Sequence, residues 1–199
     1  MSRYLGPRLK KVRRLGELPG FTKKSIASNT KPNNFRRKTS SFGIRLEEKQ
    51  KIRFNYGVGE KQLLNYMKAA ARCKGPTGEI LLQMLEMRLD NTVFRMGFAP
   101  SIPAARQLIR HGHICIKNNV VSIPSYSCKP GDIISVKENK KSVELVKKSF
   151  DSPTLLQIPP HIDLDKSTMT GKLKGIIERD WVGINLKELL VVEYYSRKI

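Results

Sequence analysis

The residues whose types could do chemistry are few, and their spacing removes most of them. His111 and His113 form an H-x-H pair, but a helix stop falls between them and no third or fourth ligand accompanies them, so a zinc site is not expected. His111 reads instead as a partner for a phosphate or a base. Cys73, Cys115 and Cys128 are far apart and make no C-x-x-C pair, which suits free, mostly buried thiols rather than a disulfide framework or a metal site. No Ser or Cys is matched with a His and an acid in a nucleophilic arrangement, and Gly75 to Gly78 lacks the Gly-Lys-Ser/Thr of a phosphate loop. Asp90, in Arg88-Leu89-Asp90, is the strongest enzymatic lure. It reads as a structural carboxylate that bonds the backbone near Asn91 or pairs with an Arg. What remains is surface charge: Arg106, Gln107 and Arg110 on one helical face, with Lys117 and Lys129 in the adjoining turns. Guanidinium forks suit bidentate phosphate contact and stacking.

Those cations need a scaffold, and the run from Arg88 to Val136 supplies it. Ser101 can cap a helix and Pro103 is tolerated in a first turn, so a helix starts near Ile102. At a period of 3.6, Ile102, Ala105, Leu108 and Ile109 share an apolar stripe, with Arg106, Gln107, Arg110 and His111 opposite. Gly112 stops the helix. Ile114 and Ile116 alternate with Cys115 as a strand, Lys117-Asn118-Asn119 turns the chain, and Val120 to Ile123 returns it. Asn fits the turn because it accepts a left-handed backbone. Pro124-Ser125-Tyr126, a turn at Lys129-Pro130-Gly131-Asp132 and the apolar strand Ile133 to Val136 follow.

Four short motifs in this run, RLDN at 88–91, ARQLIRHGHI at 105–114, IPSY at 123–126 and KPGDII at 129–134, resemble in order and spacing the RNA-binding domain of the family of small-subunit ribosomal protein four. Both ends extend the resemblance. Arg3, Tyr4, Gly6, Pro7, Arg13, Arg14 and Gly16 match the family's opening, and LLVVEYYSR at 189–197 its close, most nearly in the plastid branch. The resemblance implies RNA contacts by Asn91, Arg95, Asn118 and Tyr126 in the central domain, and by Arg3, Tyr4, Arg8, Lys10, Lys11, Arg13 and Arg14 near the N-terminus. Many bacterial members carry metal-binding cysteines in that opening region. This chain has Lys10, Lys11 and Val12 there, so no metal and no other cofactor is expected. Arg36, Arg37 and Lys38 precede Phe42-Gly43, where basic residues of the family lie near the mRNA entry pore.

Charge points the same way. The chain of 199 residues has a net charge of +21 and a pI near 10.2, which makes a polyanion the expected partner. No segment approaches the ~18 apolar residues of a membrane span, so nucleic acid is favoured over a membrane. Residues 1–40 hold twelve Lys or Arg against one acid, Glu17. Such a segment cannot bury enough apolar surface to fold alone, and it is expected to become ordered across RNA phosphates, docking through Tyr4, Leu5, Leu9, Val12 and Leu15. Helical spacing covers Leu46 to Tyr56, Glu60 to Cys73, and the stretch from Thr77. A polar stretch follows Lys137, His161 to Asp165 alternates like an edge strand, and Asn185 to Glu188 has capping-box spacing.

The expected fold is α+β: a mostly helical outer domain with an inserted RNA-binding domain of two helices packed on a small, mainly antiparallel β-sheet. The expected boundaries are a basic extended segment at 1–45, a discontinuous helical domain at 46–88 and 153–199, and the inserted domain at 89–152. By resemblance the chain would bind small-subunit rRNA early in assembly at a multi-helix junction of the 5′ domain. It would contact mRNA near the entry channel and small-subunit proteins five and three, influence translational fidelity, and form no stable homo-oligomer. The N-terminus lacks the apolar core of a secretory signal, so synthesis in the compartment where the protein works is expected; by resemblance that is the ribosome of the plastid stroma, or of a bacterial cytoplasm. Two alternatives use the same RNA-binding module. Pseudouridine synthases carry a similar RLD motif, but in a large domain that follows the module, whereas here the motif opens it. A ribosome-associated stress or rescue factor is the other.

Overall fold

The computed structural model describes residues 4–24, 40–150 and 158–196. Among these the chain forms eight α-helices and one five-stranded antiparallel sheet, in two compact units: residues 1–81 with 184–199, and residues 82–183.

The first unit contains α1 (Arg8–Leu15), α2 (Ser41–Asn55), α3 (Glu60–Arg72), the start of α4 (Thr77–Glu86) and α8 (Glu188–Ser196). Helix α2 starts where the Ser40 hydroxyl accepts the Gly43 N–H at 3.2 Å, a standard N-cap. The N-terminal segment differs from its expected extended form. Val12, Leu15, Leu18 and Phe21 are buried, and the Gly20 N–H donates to Asn55 Oδ1 at 2.9 Å. Composition could not show this, because the apolar partner is α2, not the segment itself. The C-terminal helix is held by polar ties: Tyr195 to Glu60 at 2.9 Å, Arg45 to Glu193 at 2.6 Å, and the Lys187 N–H to Glu48 Oε2 at 3.1 Å. Helix α8 begins at Glu188, later than a capping box at Asn185 would place it.

The second unit holds α5 (Leu89–Arg95), α6 (Ile102–Arg110), α7 (Lys140–Phe150) and strands β1 (Ile114–Ile116), β2 (Asn119–Val120), β3 (Ile133–Val136), β4 (Ile162–Asp165) and β5 (Thr170–Leu173). The strand order is β2-β1-β3-β5-β4. This unit ends at Gly183, not at the expected 152. The reason is β5, which pairs with β3 through Ile134↔Gly171 and so ties β4, β5 and the chain around them to this unit. A Cβ at Gly171 would lie 2.5 Å from Met96 Cε, so the missing side chain is what lets the end of α5 approach β5. The polar stretch after Lys137 is helix α7, with Val146 fully buried. The return strand is only two residues long, because pairing with β1 ends at Cys115↔Val120.

Two local devices set the geometry of α6 and the hairpin. The His113 N–H donates to Leu108 O at 3.1 Å and the Gly112 N–H to Ile109 O at 3.0 Å, with Gly112 at φ 72. That is a Schellman stop, which needs a left-handed residue. Lys117 and Asn118 then take φ 48 and 68 between the paired Ile116 and Asn119, the two-residue left-handed turn whose twist matches antiparallel strands.

Candidate nucleic-acid interface

Three buried carboxylates organise the second unit. Asp90, 1% exposed, accepts Arg88 Nε on Oδ1 at 3.0 Å and Arg88 Nη2 on Oδ2 at 2.8 Å. It also accepts the Asn91 N–H at 2.9 Å and Arg106 Nε at 2.7 Å. A carboxylate offers about four lone-pair sites, and these four donors occupy them. Both parts of the structural reading of Asp90, the backbone bond at Asn91 and the Arg pairing, are present.

Glu86 is the second. It accepts Arg95 through Nε at 3.0 Å and Nη2 at 2.9 Å, and Asn91 Nδ2 at 2.6 Å. Asp132 is the third, with Lys117 Nζ at 2.8 Å and the Lys129 N–H at 2.8 Å. Burial alone would raise the Asp132 pKa, but the Lys117 ammonium and the Lys129 N–H outweigh it and hold the carboxyl below its usual range. Hydrogen bonding to Asp132 correspondingly pushes Lys117 up.

Three of the expected RNA contacts also have partners inside the protein. Asn91, Arg95 and Arg106 are directed at the protein's own carboxylates, and every residue of α5 is buried. A helix of seven residues with no exposed face carries no amphipathic signal, so its polar positions read as surface when they are core. Arg88 and Glu86 were missed as positioning residues. The only sequence sign of them is the alternation of opposite charges at 86, 88 and 90.

The expected cations that do face outward are Arg110 and Lys129, with Lys117 63% exposed at its side chain. Gln107, His111 and Asn118 are exposed beside them, and Tyr126 is 36% exposed. Several contacts draw these together. A Cβ on Gly112 would lie 3.4 Å from Val120 Cγ1, so the C-terminus of α6 abuts β2. Asp132 joins Lys117 to the backbone of Lys129, and Tyr126 lies close enough to Lys117 to influence its charge. The Leu89 N–H donates to Tyr126 O at 2.9 Å and the Asp90 N–H to Pro124 O at 3.1 Å, so α5 fixes the loop that carries Tyr126. The end of α6, the hairpin turn and the Tyr126 loop thus present exposed Arg and Lys side chains and one half-exposed aromatic ring on a fixed backbone, residue types suited to phosphates and to a stacked base. The histidines make no such platform: His113 Nδ1 lies 2.8 Å from Ser142 Oγ, and burial, then His111 and Lys137, lower its pKa.

In the first unit, Lys10, Arg13 and Arg14 are exposed along one side of α1, opposite buried Val12 and Leu15. Arg8 lies over the Phe21 ring at 5.5 Å, and Lys11 over Tyr4 at 5.5 Å and Phe54 at 5.0 Å. Arg8, Lys11 and Tyr4 therefore belong to a cation–aromatic cluster in which Arg8 and Tyr4 stay exposed, while Lys10, Arg13 and Arg14 are exposed with no ring beneath them among the described residues. Arg3, Arg36, Arg37 and Lys38 lie outside the described residues. Of the thiols, Cys115 and Cys128 are buried and Cys73, just past α3, is exposed, in keeping with free, mostly buried thiols.

Residues 3–86 match the Ribosomal protein S4/S9 N-terminal domain, and residues 87–134 the S4 domain. The small ribosomal subunit protein uS4 of Thermosynechococcus vestitus is 57% identical over 202 residues, covering the whole of both chains. The uS4c proteins of Porphyra purpurea and Rhodomonas salina are 58% and 59% identical over 201 residues, again end to end. The chain belongs to the uS4 family. Members of the uS4 family are structural ribosomal proteins rather than enzymes, which agrees with an Asp90 that has no free lone pair for attack. The S4 domain match starts at Met87 and ends at Ile134; it takes in the Asp90 and Asp132 hubs, α5, α6 and the hairpin.

Proposed function

We infer that this protein is a structural constituent of the small ribosomal subunit that binds small-subunit rRNA, with the α6 and hairpin platform as one contact surface. The observation that carries the reading is end-to-end identity of 57–59% with proteins named uS4 and uS4c. The charge of +21 supports it, since affinity for RNA then comes from many phosphate contacts. Arg110, Lys117 and Lys129 would position the chain on phosphates, and Tyr126 would stack on an unpaired base. Side chains cannot read the deep major groove of A-form RNA, so the target is a folded junction, in keeping with the 5′-domain junction that the resemblance implies.

Early binding in assembly, contact with small-subunit proteins five and three, an influence on fidelity, and an mRNA-facing role for Arg36, Arg37 and Lys38 belong to the same proposal. So does the plastid stroma as its location; the uS4c relatives support it, and uS4 relatives match equally well. The test is binding of the full chain to small-subunit and large-subunit rRNA across a salt series. With about 6 to 10 neutralised phosphates, affinity for small-subunit rRNA falls by about three to five decades between about 50 and 200 mM salt. A preference for large-subunit rRNA would favour a rescue factor instead.

A further inference from the structure

Helix α7 has no part in the platform described above. Its exposed side carries Lys140, Lys141, Lys147 and Lys148. Among the described residues none of these four ammonium groups has a carboxylate partner, in contrast to Arg88, Arg95, Arg106 and Lys117 of the same unit. The one acid on that side, Glu144, leaves a net charge of 4 − 1 = +3. Glu144 stands four residues before Lys148, the favourable order for a helical ion pair, yet the two make none.

The opposite side of α7 is anchored along its length. Ser142 Oγ is 2.8 Å from His113 Nδ1, Val146 is fully buried, and Ser149 Oγ donates to Gly97 O at 2.9 Å. Phe150 meets Phe98 edge-on with ring centroids 5.8 Å apart. Two small serines in the contact let the helix lie close to the unit and fix the direction in which the lysines project. Lys140 and Lys147, like Lys141 and Lys148, are two turns apart, about 10 Å along the axis, so the face offers two pairs of cations at a set spacing. The first turn contains no acid, and Lys140 and Lys141 therefore oppose the helix dipole. Asn139 Oδ1 accepts the Lys141 N–H at 3.4 Å at that end but brings no negative charge, and cations gathered against the dipole mark a surface kept for something outside the fold.

We propose that α7 is a second RNA-backbone contact surface, engaging phosphates of small-subunit rRNA apart from the α6 and hairpin platform. The proposal rests on the rRNA reading above and adds a site to it. Ammonium groups act as point charges without the forked geometry that reads base edges, so α7 contributes affinity and register, not sequence choice.

Two measurements on the full chain test this. In the first, lysine acetylation is mapped by mass spectrometry with and without small-subunit rRNA: Lys140, Lys141, Lys147 and Lys148 are modified in the free protein and protected in the complex. In the second, K140Q/K141Q/K147Q/K148Q is compared with the parent in a salt titration of rRNA binding. The log–log slope becomes shallower by about three, since each lost phosphate contact removes about 0.7 to 0.9, while the circular dichroism spectrum stays the same. If the parent binds rRNA but the four lysines are unprotected and the slope is unchanged, the α7 site is overturned and the rRNA reading stands. If the parent does not bind rRNA, the rRNA reading itself falls. Protection that appears only when another ribosomal protein is added would overturn RNA as the occupant. Should the variant misfold, the acetylation map of the parent decides alone.

Discussion

Arg106, on the polar side of α6, donates from Nε to Asp90 Oδ2 at 2.7 Å, and Asp90 is 1% exposed. The same carboxylate takes a two-point contact from Arg88, itself 2% exposed. A residue that a helical wheel assigns to the RNA-facing surface thus closes the junction between α5 and α6.

Removing either partner therefore destabilises the second unit. Arg106→Ala deletes one charge-assisted bond to a buried carboxylate and costs about 1.5–3 kcal/mol. Asp90→Ala costs more, about 3–5 kcal/mol, because the buried Arg88 guanidinium loses its two-point carboxylate contact. The single tryptophan, Trp181, lies in this unit, so urea unfolding followed by its fluorescence reports both values. Parent-like midpoints for both variants would remove Asp90 as an organising residue.

Arg110 and Lys129 should behave in the opposite way. Both are exposed, and among the described residues neither side chain makes a hydrogen bond or an ion pair within 4.0 Å, Lys129 acting on Asp132 only at longer range. Arg110→Ala with Lys129→Ala leaves the Trp181 unfolding curve in place and lowers rRNA affinity by about two to four decades, at about 1.5–3 kcal/mol per charge-assisted contact. A filter-binding titration beside the unfolding curve separates the two effects.

The turn that carries Lys117 has a pH window. Asp132 is held below its usual pKa of 3.8, so its contribution to stability is complete above that value and drains away as pH falls through the lower folded value. Lys117 is raised above 10.5, so its part is complete below that value and is lost as pH rises through the higher one. The melting-temperature gap between parent and Asp132→Asn therefore stays level from about pH 5 to about pH 9 and closes below the ordinary carboxylate range. A gap that widens on acidification would contradict the sign.

The thiols give a direct check on burial. Cys73 is exposed, while Cys115 and Cys128 are buried, and burial first of all pushes the Cys128 thiol up to about 12. A thiol reagent at mildly alkaline pH should label Cys73 alone in the native chain and all three cysteines after denaturation. Rapid native labelling of Cys128 would show that it is not packed against Thr92 of α5.

Much of this arrangement was legible in the sequence. The boundaries of α6, its Gly112 stop, the left-handed turn at Asn118 and the β4 edge strand all follow from local chemistry, and the structure has them. Ile102, Ala105 and Ile109 are buried as the 3.6 period requires, although Leu108 is only half-buried. Ser101 makes no side-chain cap bond, so the helix start rests on Pro103 in its first turn. What was not legible depends on contacts distant in sequence. Strand β5, with Gly171 at its centre, has no apolar alternation of its own and exists by pairing with β3 and β4. Helix α7 hides its buried side behind serines, which read as polar surface. Asn91, Arg95 and Arg106 are inward because buried carboxylates receive them, and one-dimensional spacing does not distinguish that from a phosphate.

The account's central claim is that the outward cations of the S4 domain meet small-subunit rRNA. The most direct test is ultraviolet cross-linking of small subunits purified from the source organism, with cross-linked peptides of this protein mapped by mass spectrometry. The account predicts cross-links at Tyr126 and within residues 107–118 and 126–131. Abundant rRNA cross-links elsewhere in the chain, with none in those two segments, would contradict it.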